Sequence, residues 1–232
     1  MNNEILDKEL GHIVFVESSR AKRLIARKMP DYIKVTIPDG YSIKKAMKLL
    51  IELKPKLLTL KAKDIPQFYV GVEFKTLTFV LKLETNNSLL NYYMNLKDGV
   101  LSITCPLKTD FKAEETQGLV RHMIEKALRY EAKRIFPAKV AQIAEAYNFQ
   151  FTEVKINKSK TRWGSCSSKK NINLSCICML LPEYLIDFII KHELCHTIEM
   201  NHSDKFWTLL DSVSNNEARK LTKELKEYKI YW

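Results

Sequence analysis

The 232-residue chain has little of what would tie it to a fibre, a bilayer or an exported scaffold. Six glycines and seven prolines are too few for a collagen-like or low-complexity segment. Long hydrophobic runs are missing. The longest unbroken apolar stretch, Cys176 to Pro182, falls far short of the roughly 20 residues that a membrane span demands. The opening MNNEILDKEL carries acid where an export signal carries base, so neither a secretory leader nor a membrane protein is expected. Cysteine is sparse: five residues, at positions 105, 166, 176, 178 and 195, form an odd and irregular set. Such a set argues for reduced thiols in a cytoplasm rather than a disulfide framework. Cys166, Cys176 and Cys178 lack an evident fourth partner for a zinc–thiolate site and read as buried apolar thiols.

What is present is ordinary globular composition, with 46% hydrophobic and 28% charged residues and a formal net charge of +11. The basic excess is spread along the chain without a block of like charges, as on a solvated basic surface. Nucleic-acid contact through that surface stays open, but charge alone does not establish it.

Short strand-like segments dominate the first half: His12–Glu17, Ile33–Ile37, Phe68–Phe74, Leu77–Leu83, Leu89–Asn95 and Val100–Cys105. One helix interrupts them, starting after Ser42 and stopped by Pro55. After Pro106 the pattern changes. Residues 112–135 are spaced as a long helix through Leu119, Met123, Ala127, Tyr130 and Arg134, broken by Pro137, with a second helix to about Tyr147. Strands are expected near Phe151–Asn157, Arg162–Cys166 and Ile172–Cys176, then a helix over Glu183–Glu199. The Ser214-Asn-Asn-Glu217 capping box opens a last helix. The expected organisation is α+β, with a β-rich N-terminal region over 1–110 and an α+β half over 111–232. A fragment starting near 108, if it folds, is then expected to keep any site that lies after residue 190.

The chemistry concentrates in His192-Glu193-Leu194-Cys195-His196, an HExxH pattern. On a helix its two imidazoles lie one turn apart on one face, able to grip a single zinc ion. Glu193 is rotated by about 100°, toward a metal-bound water rather than the metal. Flanking Leu185, Ile186, Phe188, Ile189, Ile190, Leu194 and Ile198 imply a largely buried helix, where unpaired polar groups are costly. His202 is the third candidate ligand. To bring it back, the chain must turn sharply after Glu199, with Asn201 suited to a left-handed conformation and Ser203 suited to cap a helix from Asp204. Cys195 points off the histidine face and reads as core, and His12 and His122 read as plain histidines.

Trp163-Gly164-Ser165-Cys166, Asn171-Ile172-Asn173-Leu174, Leu181-Pro182, HELCH, and Asn201-His202-Ser203 through Phe206-Trp207 follow one another in order over some 50 residues. In these motifs the chain resembles the YgjP-like metallopeptidase family, related in its motif to SprT-type zinc proteases. The β-rich leader resembles that family as well. The resemblance implies a zincin-like metallopeptidase domain, one zinc ion per chain held by His192, His196 and His202, and Glu193 as catalytic acid/base. One departure is Ser175, where the family pattern leads one to expect Asn.

The reading is therefore a cytoplasmic zinc metallopeptidase acting on a peptide or protein substrate. Three protein ligands leave a fourth position for water, and Glu193 takes that water's proton and returns it to the leaving amine. Arg162, a Tyr or a backbone N–H stands as oxyanion donor. Trp163 reads as core, Phe206 and Trp207 pack under the zinc site, and strand 171–176 is either a peptide-docking edge or a core strand. Two rivals are a metal-dependent hydrolase of nucleotide phosphoanhydrides and a nucleic-acid-binding module with a structural zinc.

Overall fold

The computed structural model describes residues 4–29, 32–59 and 66–228. The chain divides into two compact units, with the boundary between Ile65 and Pro66. In the first, β1 (Glu4–Asp7), β2 (Gly11–Glu17), β3 (Ile25–Lys28) and β4 (Tyr32–Ile37) form a sheet of order β1-β2-β4-β3. β2 and β4 run parallel, in a register that sets Ile13 beside Ile33 and Phe15 beside Val35. Period-two alternation turns these residues and Ile37 to one face, where Ala46, Leu50 and Leu57 of α1 (Ile43–Thr59) complete a separate core.

Pro55 does not end α1 but lies inside it. A proline removes the hydrogen bond to the carbonyl four residues back, here that of Ile51. Ile51 is exposed, so water can take the freed carbonyl, while Leu57 beyond the proline gains burial. The same argument corrects the break expected at Pro137. One helix, α2 (Glu114–Ala146), runs through it for 33 residues. Lys133, whose carbonyl Pro137 leaves free, is exposed. Core residues continue on both sides at four-residue intervals: Val120, Ile124, Leu128, Ala132, Phe136, Val140 and Ala144. Four residues overshoot a helical turn by about 40°, so this stripe winds slowly around the axis. It meets different partners in turn, and the expected face does not hold: Leu119 and Tyr130 are exposed.

In the second unit, β5 (Val80–Asn86), β6 (Tyr93–Lys97) and β7 (Val100–Pro106) form a sheet of order β5-β7-β6. Leu81, Leu83, Leu101, Ile103 and Cys105 enter the same core as the α2 stripe. The second sheet holds β8 (Glu153–Asn157), β9 (Gly164–Cys166) and β10 (Asn171–Ser175) in the order β8-β10-β9, with Ile172 and Leu174 buried. A 3-10 turn (Cys176–Leu180) leads into α3 (Glu183–Cys195), α4 (Asp204–Val213) and α5 (Ala218–Glu227). Among the described residues the chain thus combines three sheets with five α-helices, none long and apolar enough to cross a membrane.

Several local expectations are corrected. Phe68–Phe74 is irregular, because Gln117 supplies what a partner strand would: its Oε1 accepts from Phe68 N–H (2.9 Å) and its Nε2 donates to the Phe68 carbonyl (2.7 Å). β5 starts only at Val80, since Thr76 Oγ1 accepts from Phe79 N–H at 3.0 Å and closes a turn before it. β6 lies later than Leu89–Asn95, with Leu90 left 92% exposed. At Ser214 the capping box does not form. Ser214 Oγ donates back to the Leu210 carbonyl (2.6 Å), and Asp211 Oδ1 instead accepts from Ala218 N–H (3.1 Å).

The compact-unit boundary at 65/66 lies well before the composition change near 110, because β5–β7 bury their apolar face in the core that α2 and α3 share. A fragment starting at Pro66 should therefore unfold cooperatively in urea with native-like circular dichroism. One starting at residue 108 should lack a cooperative transition, and a cooperative 108–232 fragment would contradict the shared core.

Candidate metal centre

α3 owes its place to burial on nearly every side: Leu185, Ile186, Phe188, Ile189, Ile190, Leu194 and Cys195 are all buried. His192 and His196 project from it one turn apart, their ring centroids at 4.9 Å. The helix ends at Cys195, earlier than Glu199, which leaves Ile198 58% exposed. The cause is local. Thr197 Oγ1 donates to the Leu194 carbonyl (2.7 Å), Ile198 N–H closes on the Cys195 carbonyl (3.0 Å), and His196 Nδ1 bonds the Glu199 carbonyl (3.0 Å). The reversal needs no left-handed residue at Asn201, which is absent from the positive-φ residues. Ser203 caps α4 as expected, accepting from Phe206 N–H at 3.4 Å.

This turn returns His202 to the other two imidazoles. His202 Nε2 lies 3.1 Å from His192 Nε2, and one ligand atom of each histidine lies within 4.8 Å of the others. Phe206, fully buried, stacks on His196 at 4.5 Å and stands 5.0 Å from His192 and 4.7 Å from His202. Its ring backs all three imidazoles, with Trp207 at 6.3 Å from His202 and Arg219 of α5 over the indole at 4.5 Å.

The donor set suits a zinc ion. A carbonyl can only accept, so His196 carries its proton on Nδ1 and presents Nε2 as a lone pair. Burial, with the neighbouring imidazoles, pushes His192 down to about 3, so it too is neutral at neutral pH. Zinc–nitrogen bonds of about 2.0–2.1 Å at a tetrahedral angle set nitrogens about 3.3 Å apart, close to the His192–His202 separation.

Glu193 stands out by contrast with Glu131. Both are 6% exposed. Glu131 is gripped by Arg134 through Nε (3.0 Å) and Nη2 (2.6 Å), and its carboxyl is held below the usual range. No hydrogen bond to the Glu193 carboxyl exists among the described residues, and burial pushes it up to about 8, with Arg162 pulling it back. The Glu193 carboxyl instead lines a cleft.

Gly164 of β9 is what lets Glu193 sit there. A Cβ at 164 would meet Glu193 Oε1 at 2.6 Å, Cγ at 2.8 Å and Cδ at 2.9 Å. The requirement is space, since Gly164 is not among the positive-φ glycines. Gly164, His192 and Glu193 line a cleft of about 200 Å³ with Arg162, Trp163, Phe188, Ile189, Thr222 and Leu225.

The other residues singled out from the sequence fall outside this centre or at its margin. Strand 171–176 is the middle of its sheet, and the edge beside Glu193 is β9. Trp163 both packs on the core and lines the cleft. Ser175, where an Asn was expected, is fully buried; its Oγ donates to the Ser159 carbonyl (2.7 Å) and accepts from Ile177 N–H (3.3 Å). His122 is exposed, and His12 pairs with Glu4 in the first unit. Burial raises the thiols of Cys105, Cys176, Cys178 and Cys195, as apolar cysteines require. Sequence reasoning missed Thr222 and Leu225, for which no motif gave a signal.

A family model described as YgjP-like, metallopeptidase domain, matches residues 22–228. No curated protein matches the chain. Among solved structures, the metallopeptidase zymogen of Pyrococcus abyssi abylysin is 23% identical, over 39% of this chain and 91% of its own, with a TM-score of 0.36. The metallopeptidase zymogen of Methanocaldococcus jannaschii jannalysin is 26% identical, over 39% of this chain and 93% of its own, with a TM-score of 0.35.

Gly164→Ala should displace the Glu193 carboxyl, and if that carboxyl takes part in hydrolysis the rate should fall by about 10²-fold. Metal content should stay near wild type, because the histidines are untouched. Full activity in this variant would show that the close approach is not needed.

Proposed function

The chain belongs to the YgjP-like metallopeptidase family, and from that membership and the geometry of the centre we propose a zinc-dependent metallopeptidase of the HExxH type with a zincin-like catalytic domain. His192, His196 and His202 would hold one zinc ion. The observation that carries the proposal is a cleft-lining carboxyl with no hydrogen bond among the described residues, next to three imidazoles whose ligand atoms lie within 4.8 Å of one another. A structural zinc needs no such carboxyl, so Glu193 favours a catalytic centre over a nucleic-acid-binding module.

A zinc ion at this place supplies Lewis-acid polarisation of a peptide carbonyl and makes water reactive near neutral pH. The remaining work falls to the chain's own residues. Glu193, open to the cleft, takes the proton of the attacking water and hands it to the leaving amine. Glu199 fixes the His196 tautomer through its carbonyl, and Phe206 keeps the imidazoles from rotating. β9 has only β10 as a strand partner among the described residues. We place an extended peptide along its other edge, beside Glu193. The five unpaired cysteines suit a reducing, cytoplasmic setting.

Glu193→Gln keeps the size of the side chain and removes the base. Zinc content, read by elemental analysis, should stay near one per chain in that variant, whereas His192→Ala and His202→Ala should lose most of it. Hydrolysis of the best substrate from a screen of casein, short peptides, DNA-bound protein and nucleoside triphosphates should fall about 10²–10⁴-fold in Glu193→Gln. Wild-type turnover by the Gln variant would sink the mechanism, and loss of zinc would make Glu193 a ligand.

A further inference from the structure

The cleft beside Glu193 is asymmetric in its chemistry. Trp163, Phe188, Ile189 and Leu225 give it an apolar wall, and among the described residues Arg162 is the one Lys or Arg that lines it. Arg162 is exposed, and among the described residues its guanidinium has neither an ion pair nor a hydrogen bond, even to Glu193 across the same cleft. The neighbouring cations face elsewhere, Lys158 and Lys160 lying 3.9 and 3.8 Å from Glu125.

The backbone that carries Arg162 is nevertheless held firmly. Asn157 Oδ1 accepts from Ser159 N–H (2.9 Å), and Ser159 Oγ accepts from Arg162 N–H (3.3 Å). The Ser159 carbonyl accepts from the Oγ of fully buried Ser175 (2.7 Å). A cation on a pinned loop, beside an apolar wall and without a hydrogen-bonded acid among the described residues, is arranged to meet an external anion.

We propose that Arg162 anchors a carboxylate of the substrate while the Trp163, Phe188, Ile189 and Leu225 wall takes the adjoining side chain. The substrate class is then a peptide with an apolar residue next to a carboxylate, either the chain's own C-terminus or an Asp or Glu side chain. This rests on the metallopeptidase reading and adds its specificity. The guanidinium fork matches a carboxylate with two parallel hydrogen bonds, which a lysine cannot reproduce.

Binding separates the proposal from turnover. The zinc-loaded, full-length Glu193→Gln protein is titrated calorimetrically with one apolar peptide in three forms: free C-terminal acid, neutral C-terminal amide, and amide with an internal Glu. One acidic form should bind about 10- to 100-fold tighter than the neutral amide, the scale of a charged hydrogen bond. Which acidic form it is identifies the source of the carboxylate. Adding Arg162→Met should erase that preference, and Arg162→Lys should restore part of it. Equal binding of acidic and neutral forms, no binding of any form, or a preference that survives Arg162→Met would each overturn the proposal. So would Arg162-dependent binding of a nucleoside triphosphate without any peptide preference. Hydrolysis of the neutral amide by wild type but not by Glu193→Gln reports on the peptidase reading separately. If Arg162 acts only on the Glu193 proton, Arg162→Met shifts the pH profile of turnover equally for all three peptides, which also counts against the anchor.

Discussion

The hydrogen bond from His196 Nδ1 to the Glu199 carbonyl constrains the centre in two ways at once. It draws the chain out of the helical path one turn after His192, and it selects the tautomer that leaves Nε2 free. Without that early reversal, His202 would continue away along the α3 axis. With it, the imidazole returns to 3.1 Å from His192 Nε2, and the next helix starts at once from the Ser203 cap. α4 then delivers Phe206 into the space behind all three rings. A single tight turn thus couples ligand placement, ring orientation and the packing of the following helix.

The electrostatics follow from the same burial. Sinking α3 into an apolar core keeps His192 neutral and raises the proton affinity of Glu193. A neutral imidazole is the form that can ligate a cation, so the first effect suits the proposed metal site. Glu131, equally buried but clasped by Arg134, is held the other way, below the usual carboxylate range. Gly164 supplies the remaining condition, a stretch of backbone without a side chain where the Glu193 carboxyl comes closest.

The centre was legible in the sequence because its chemistry is local: HELCH fixes two histidines and a glutamate by helical spacing, and Asn201-His202-Ser203 marks the return. β2, β4 and β7 were legible for the same reason, as unbroken alternations of buried and open residues. What escaped depends on distant partners. Whether Pro55 and Pro137 stop a helix turns on whether the residue four back faces solvent. Whether Phe68–Phe74 pairs as a strand turns on Gln117, far along the chain. That β9 rather than β10 forms the edge near Glu193 depends on sheet order, which alternation does not encode. The compact-unit boundary depends on which core receives β5–β7, and composition is blind to that.

If three imidazoles, and no thiolate, hold one zinc ion beside Glu193, X-ray absorption at the zinc edge of the loaded protein should show three imidazole nitrogens at about 2.0–2.1 Å with the remaining coordination by oxygen. A sulfur shell at about 2.3 Å, or fewer than three imidazoles, would contradict it.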